Sequence, residues 1–184
     1  MKSTASTRRC LIIVGMVAAL SALAVPAFAA GTTTTFSLTG GSLSISAPSS
    51  TVNLGSAATG ASAVTAQLGT VTVTDARGSL AGSWTSTVSS TDFTTGGATA
   101  DETVAKANVF YWSGAATASS GTAVFTPGQL LSANETALSA GKTAFSATAI
   151  VGNDSASWNP TIDVHIPAAA VAGTYTGTIT HSVA

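Results

Sequence analysis

Cysteine and charge are both scarce in this sequence of 184 residues, and each scarcity excludes a class of protein. The single cysteine is Cys10, so a domain built from later residues has no disulfide and no thiol nucleophile. After Ala29, three cations stand against seven anions, a net charge of −4. Three scattered cations cannot form a surface that follows a phosphate backbone, so nucleic acid is not an expected partner. These charged residues are Arg77, Lys106 and Lys142, and Asp75, Asp92, Asp101, Glu102, Glu135, Asp154 and Asp163.

Catalytic motifs are absent as well. The Gly-x-Ser-x-Gly turn of many hydrolases does not occur, and both histidines, His165 and His181, lie within predicted strands. A glycosidase would need two carboxylates in a cleft, and Asp163 has no evident partner in the sequence. Asp101-Glu102 and Asn153-Asp154 could ligate calcium from predicted loops, but solvated turn carboxylates are the simpler interpretation. The sequence therefore predicts no enzyme, no metal site and no cofactor.

The N-terminal segment has the order of features that is typical of a secretory signal peptide. Three cations precede an uncharged apolar run of about fifteen residues, which is short for a membrane span. Ala27-Phe28-Ala29 then places small residues at the −3 and −1 positions, which predicts cleavage between Ala29 and Ala30. The adjacent Arg8-Arg9 leaves both general and twin-arginine export open. We expect residues 1–29 to be removed, leaving residues 30–184 as one exported domain without a membrane segment.

Alternation of apolar and polar residues dominates the rest of the chain. The clearest run extends from Val64 to Thr74, and its phase shift at Gly69 predicts a bulge. Asp75-Ala76-Arg77-Gly78 then fits a type I turn. About eight to ten short strands of this kind alternate with Gly, Ser and Pro, and no segment has a convincing helical period. This pattern indicates an all-β antiparallel sandwich, for which we prefer an immunoglobulin-like arrangement.

Two stretches resemble the WxL-domain surface proteins of Gram-positive bacteria. The first is Val71 to Gly78, which contains an Asp-x-Arg-Gly turn and is followed by a strand with Trp84. The second comprises Ile166-Pro167-Ala168 and Gly173 to Thr180, which resemble the last strand of that family. The resemblance covers roughly Leu38 to Ala184, nearly all of the mature chain.

The two Trp-x-Leu motifs that give the family its name are degenerate in this chain. The first keeps Trp84 but has Ser86 where leucine is expected, and the second has His181 and Val183 in place of tryptophan and leucine. The resemblance therefore supports the family's fold for this chain more strongly than it supports the family's ligand.

The resemblance implies an exported immunoglobulin-like sandwich that is bound non-covalently to the peptidoglycan of the cell wall. Our candidate contacts with a wall polymer or with other surface proteins are Asp75 and Arg77 at the turn. Trp84 and Trp158 are the candidate stacking surfaces for sugars or partners. The alternative for a tryptophan such as Trp84 is burial in the core of the sandwich.

A second hypothesis is a structural role as a pilin-like or coat subunit, or as an adhesin. Such a subunit would assemble through edge strands, whose free backbone groups pair with another chain unless charges block them. Residues 173–184 carry no Lys, Arg, Asp or Glu, so they would be poorly protected at a sheet edge. Assembly that depends on concentration would distinguish this role from that of a monomeric wall-binding protein.

Overall fold

The computed structural model describes residues 28–184. Residues 28–37 are exposed and have no regular secondary structure, whereas Leu38–Ala184 form one compact unit. The predicted signal peptide lies outside the described residues except for Phe28 and Ala29, so its cleavage stays a prediction. Within residues 28–184, no helix has the length and apolar character needed to cross a membrane.

Strands are the main regular elements of the compact unit, as the alternation of apolar and polar residues predicts. Three short 3-10 helices interrupt them at Ala100–Glu102, Lys106–Asn108 and Ser132–Asn134. In chain order the strands are β1 (Leu43–Ser46), β2 (Ala63–Gln67), β3 (Val71–Ser90), β4 (Phe93–Thr94), β5 (Thr103–Val104), β6 (Val109–Trp112), β7 (Ala116–Ser120), β8 (Val124–Pro127), β9 (Thr136–Ala137), β10 (Lys142–Trp158), β11 (Thr161–His165) and β12 (Ile179–Val183).

The strands form two main antiparallel sheets. In the six-stranded sheet, β3 and β10 pair with each other, β1 and β12 pair with β3, and β7 and β8 pair with β10. The four-stranded sheet has the order β2-β11-β6-β9. A separate two-stranded ladder joins β4 and β5.

Apolar side chains from both sheets meet in a single core. The alternating inner residues of β3 and β10 supply one side of this core, and those of β6 and β11 supply the other. The predicted all-β antiparallel sandwich is therefore confirmed, while the finer immunoglobulin-like arrangement stays a prediction. The largest side chains that are almost fully buried are Trp84, Trp158, Tyr111, Phe145, Leu138, Ile150 and Ile162.

The predicted type I turn at Asp75–Gly78 is wrong, because these residues lie inside β3. Asp154 of β10 lies opposite Asp75, and Gly152 lies opposite Ser79, so β3 advances four residues while β10 advances two. This offset is a bulge, and Gly78 accommodates it with a φ of 66°. Pairing with β10 keeps the chain extended where its local sequence favours a reversal.

The predicted bulge at Gly69 is also wrong, because the run from Val64 to Thr74 is two strands rather than one. Strand β2 belongs to the four-stranded sheet and β3 to the six-stranded sheet. Gly69 lies between them with a φ of 102°, and its N–H donates to Asn159 Oδ1 at 3.0 Å. The phase shift in the sequence therefore marks the crossing from one sheet to the other.

Candidate functional site

Asp75 and Arg77 form a bidentate ion pair at the bulge of β3. Arg77 Nε donates to Asp75 Oδ1 at 2.9 Å, and Arg77 Nη2 donates to Oδ2 at 2.7 Å. The backbone N–H of Arg77 also donates to Oδ1, at 2.9 Å. Although Asp75 is fully buried, these hydrogen bonds hold its pKa below the ordinary value. The carboxylate therefore stays charged inside the protein.

A second buried carboxylate, Asp154, lies opposite Asp75 on β10. Trp84 Nε1 donates to Asp154 Oδ1 at 3.0 Å, while Oδ2 has no hydrogen-bond partner among residues 28–184. Burial raises the pKa of Asp154, and the hydrogen bond from Trp84 opposes this rise in part. Neither carboxylate is accessible enough to act on a substrate, so the pair is a structural feature of the sandwich.

The four residues predicted as binding contacts differ in their access to solvent. Trp84 is 2% exposed and Trp158 is 0% exposed, so neither ring offers a face on which a sugar could stack. Asp75 is buried as well, and of the four only Arg77 reaches solvent, with 36% of its side chain exposed. The structure therefore supports the core alternative for both tryptophans.

Arg77 borders a small cavity of about 200 Å³. Thr39 and Asn153 supply further polar groups to its lining. Two of the three guanidinium nitrogens are already engaged, since Nη2 also donates to the backbone oxygen of Ser83 at 2.8 Å. Within residues 28–184, Nη1 is the guanidinium nitrogen that makes no hydrogen bond, so it is the group that Arg77 can still offer to a ligand in this cavity.

Trp158 belongs to a buried polar network that joins the two sheets. Its Nε1 donates to the Tyr111 hydroxyl at 3.1 Å, and that hydroxyl lies 3.3 Å from Nε2 of His181. The Trp158 ring also stacks on Phe145, with ring centroids 4.8 Å apart. Burial raises the pKa of Tyr111 and lowers the pKa of His181 to about 4. His181 is therefore a neutral part of the core near pH 7.

The buried histidine predicts an acid-sensitive fold. The pKa of His181 is about 4 when folded, against about 6.5 for an unfolded chain, so the unfolded state binds a proton more readily. The stability that neutral His181 contributes is therefore fully present above about pH 6.5, and it falls as the pH drops towards 4. We expect this histidine to lower the free energy of unfolding by about 2 kcal/mol between pH 7 and pH 4.5.

Urea unfolding at these two pH values checks this expectation. His181→Leu removes the titrating group, so the variant should lose clearly less stability on acidification than the original protein. Carboxylates contribute to the pH dependence of both proteins, and the comparison therefore isolates the histidine. An equal loss in both proteins would contradict the assignment.

A larger groove, of about 660 Å³, lies between two long loops. Residues 47–62 connect β1 to β2, and residues 166–178 connect β11 to β12. Its volume lies in the range of roughly 300–1,000 Å³ that is usual for small-ligand sites. The lining combines apolar groups, such as Phe93 and Val104, with the amide of Asn53 and several threonine hydroxyls, and contains no ionisable acid or base other than Tyr175. The groove is therefore suited to an uncharged ligand that has both hydroxyl groups and apolar faces.

The loop from β11 to β12 is anchored to its surroundings. The Tyr175 hydroxyl lies 2.9 Å from the backbone oxygen of Val171 and 3.2 Å from that of Asp101. Thr176 exchanges two backbone hydrogen bonds with Thr94, at 2.9 and 3.0 Å. These contacts hold one wall of the groove in place without a ligand.

Sequence reasoning missed this groove, because its lining carries no catalytic or metal-binding chemistry. Loop length is the signal that could have found it. Both loops exceed about 12 residues without a strand or helix, and such long loops are uncommon in compact domains, where they are often functional.

One carboxylate in each of the two segments considered for calcium, Glu102 and Asp154, already accepts hydrogen bonds within the fold. Glu102 Oε2 accepts hydrogen bonds from the backbone N–H groups of Gly97 and Thr99 and from the Thr99 hydroxyl. These bonds lower the pKa of Glu102. Asn153-Asp154 lies within β10 rather than in a loop, and Asp154 is bonded to Trp84.

No protein-family model, no curated protein and no solved structure matches this chain. The resemblance to WxL-domain proteins rests on the residues quoted above and stays a prediction.

Proposed function

We propose that this protein is exported and associates non-covalently with the peptidoglycan of a Gram-positive cell wall, as a non-catalytic binding module. The observation that carries this proposal is the uncharged groove between residues 47–62 and 166–178. The signal-like N-terminus and the resemblance to WxL-domain proteins support the location and the class of ligand.

The chemistry of the groove supports a glycan over a charged ligand. A sugar ring presents hydroxyl groups at its rim and C–H groups on its faces, so it matches a lining that alternates threonine hydroxyls with apolar groups. A phosphate or carboxylate would find no cation among the lining residues. The proposed contact therefore lies in the groove rather than on Trp84 and Trp158, both of which are buried.

The binding of the mature protein, Ala30–Ala184, to purified peptidoglycan sacculi tests this function. Thr174 is an exposed lining residue with no side-chain hydrogen bond among those of the described chain, so Thr174→Glu places a charge in the groove without breaking the fold. We expect saturable binding that Thr174→Glu weakens about tenfold or more, a loss of about 1.4 kcal/mol. Sedimentation of the protein with the sacculi measures both affinities.

Ser119→Glu is the matched control. Ser119 is an exposed hydroxyl residue on β7, away from the groove lining, and its substitution adds the same charge. General repulsion by an anionic wall would weaken both variants equally, whereas groove binding predicts less than a twofold change for Ser119→Glu. Equal weakening, or no saturable binding by the original protein, would contradict the proposal.

Two edge strands favour assembly as the alternative function. Strand β7 pairs only with β10, and β12 pairs only with β3, so within residues 28–184 each leaves one edge open. Neither strand contains Lys, Arg, Asp or Glu, the charges that usually protect such edges. Sedimentation velocity over a range of concentrations would reveal assembly, which Ser119→Glu should suppress if β7 is the edge involved.

A further inference from the structure

A histidine and two carboxylates converge beside the four-stranded sheet, away from the groove. Asp163 and His165 occupy alternate positions of β11, on the face opposite the buried Ile162 and Val164. Glu135 lies immediately before β9, and one ligand atom from each of the three residues falls within 4.8 Å of the other two. All three residues are half-buried. Glu135 is 28 positions before Asp163 in the sequence, so the fold brings together three potential metal ligands that are distant in the chain.

Residues outside the cluster orient two of these ligands. The Thr65 hydroxyl donates to Asp163 Oδ1 at 2.7 Å, which directs Oδ2 towards His165 Nε2 at 3.2 Å. The His165 ring packs against Phe110, with centroids 4.3 Å apart. Both contacts come from the strands that flank β11, namely β2 and β6. Metal sites use contacts of this kind to orient their ligands: an outer residue donates a hydrogen bond to the ligating carboxylate, and another fixes the imidazole ring.

The charge of the cluster also favours a cation. Glu135 and Asp163 are both acidic, and in the described part of the chain neither forms an ion pair with lysine or arginine. Two carboxylates so close together repel each other unless a cation lies between them. A divalent ion bound between them would neutralise both carboxylates.

We propose that Glu135, Asp163 and His165 form a binding site for a divalent transition-metal ion of the Zn²⁺ type. One imidazole nitrogen with two carboxylate oxygens suits Zn²⁺, whereas Mg²⁺ and Ca²⁺ prefer oxygen ligands alone. Three protein ligands leave one position of a tetrahedral ion open for water or for a group from a partner. The site does not depend on the function of the groove.

Calorimetric titration of tag-free Ala30–Ala184 with ZnCl₂ tests this site, since this segment contains the whole compact unit. We expect one ion per chain, with affinity that falls about 100-fold or more in His165→Ala and in Glu135→Gln. Thr65→Val removes only the hydrogen bond to Asp163 and should weaken binding about tenfold. Asp101→Asn, which removes a carboxylate outside the cluster, should leave the affinity unchanged.

Two further measurements test whether each variant is folded and whether His165 binds the ion directly. Circular dichroism confirms that each variant is folded, and Co²⁺ in place of Zn²⁺ should give visible absorption bands that His165→Ala abolishes. The absence of saturable Zn²⁺ binding would overturn the proposal. Zn²⁺ binding of equal strength in His165→Ala would also overturn it, because the ion would then lie elsewhere.

Discussion

Trp84→Ala is expected to lower the free energy of unfolding by about 4 kcal/mol, because truncation of a buried tryptophan leaves a large cavity. Trp84 is 2% exposed, and its ring lies near Phe125, with centroids 6.3 Å apart. The substitution also removes the N–H group that donates a hydrogen bond to Asp154 Oδ1. The other oxygen of this carboxylate, Oδ2, has no hydrogen-bond partner in the described chain. A buried carboxylate without a hydrogen-bond donor adds to the cost of the cavity. Urea unfolding near pH 7 measures the loss.

Two controls separate packing from hydrogen bonding and from ligand contact. Trp84→Phe keeps much of the ring but not the N–H, and it should cost clearly less than Trp84→Ala. Leu80→Ala truncates an apolar side chain that is 84% exposed, so it should change stability by less than about 0.5 kcal/mol. If Trp84→Ala left stability unchanged and abolished binding to sacculi, Trp84 would be a ligand contact after all.

Arg77→Met is expected to lower the free energy of unfolding by about 2 kcal/mol near pH 7, because it leaves the buried Asp75 carboxylate without its cation. We place the loss below the usual 3–5 kcal/mol because 36% of the Arg77 side chain is exposed and the backbone N–H of residue 77 remains a donor. Arg77→Lys keeps the charge but loses the bidentate geometry, so its cost should be intermediate.

The pH dependence of this loss provides a second test. Hydrogen bonds from Arg77 depress the pKa of folded Asp75, so the stability that the pair contributes is present above the unfolded pKa of about 3.9. That stability is lost as the pH falls through the folded pKa. The gap between Arg77→Met and the original protein should therefore narrow under acidic conditions. A gap below 0.5 kcal/mol near pH 7 would show that the ion pair contributes little.

The class of fold could be predicted from the sequence because alternation of apolar and polar residues is a local property of each strand. Strand boundaries depend on pairing partners that are distant in sequence, and the local pattern does not show which partners those are. Asp75–Gly78 has the residues of a type I turn, yet pairing with β10 makes it a bulge in a 20-residue strand. The phase shift at Gly69 was visible, but only the sheet topology shows that it separates two sheets.

The candidate site was harder to predict for the same reason. A tryptophan in a strand has the same local sequence whether its ring faces the core or solvent, and Trp84 and Trp158 both face the core. The groove arises where two loops more than 100 residues apart come together. The cluster around His165 likewise needs Glu135, which no local spacing connects to Asp163.

The most direct test of the proposed function is to map where a soluble peptidoglycan fragment contacts isotope-labelled Ala30–Ala184 by nuclear magnetic resonance. Binding in the groove predicts concentration-dependent shifts of the amides in residues 51–60 and 170–177, with little change along β7 or beside Arg77. Shifts confined to β7 or to Arg77 would contradict the assignment of the groove. No shifts at millimolar fragment would contradict the wall-binding function itself.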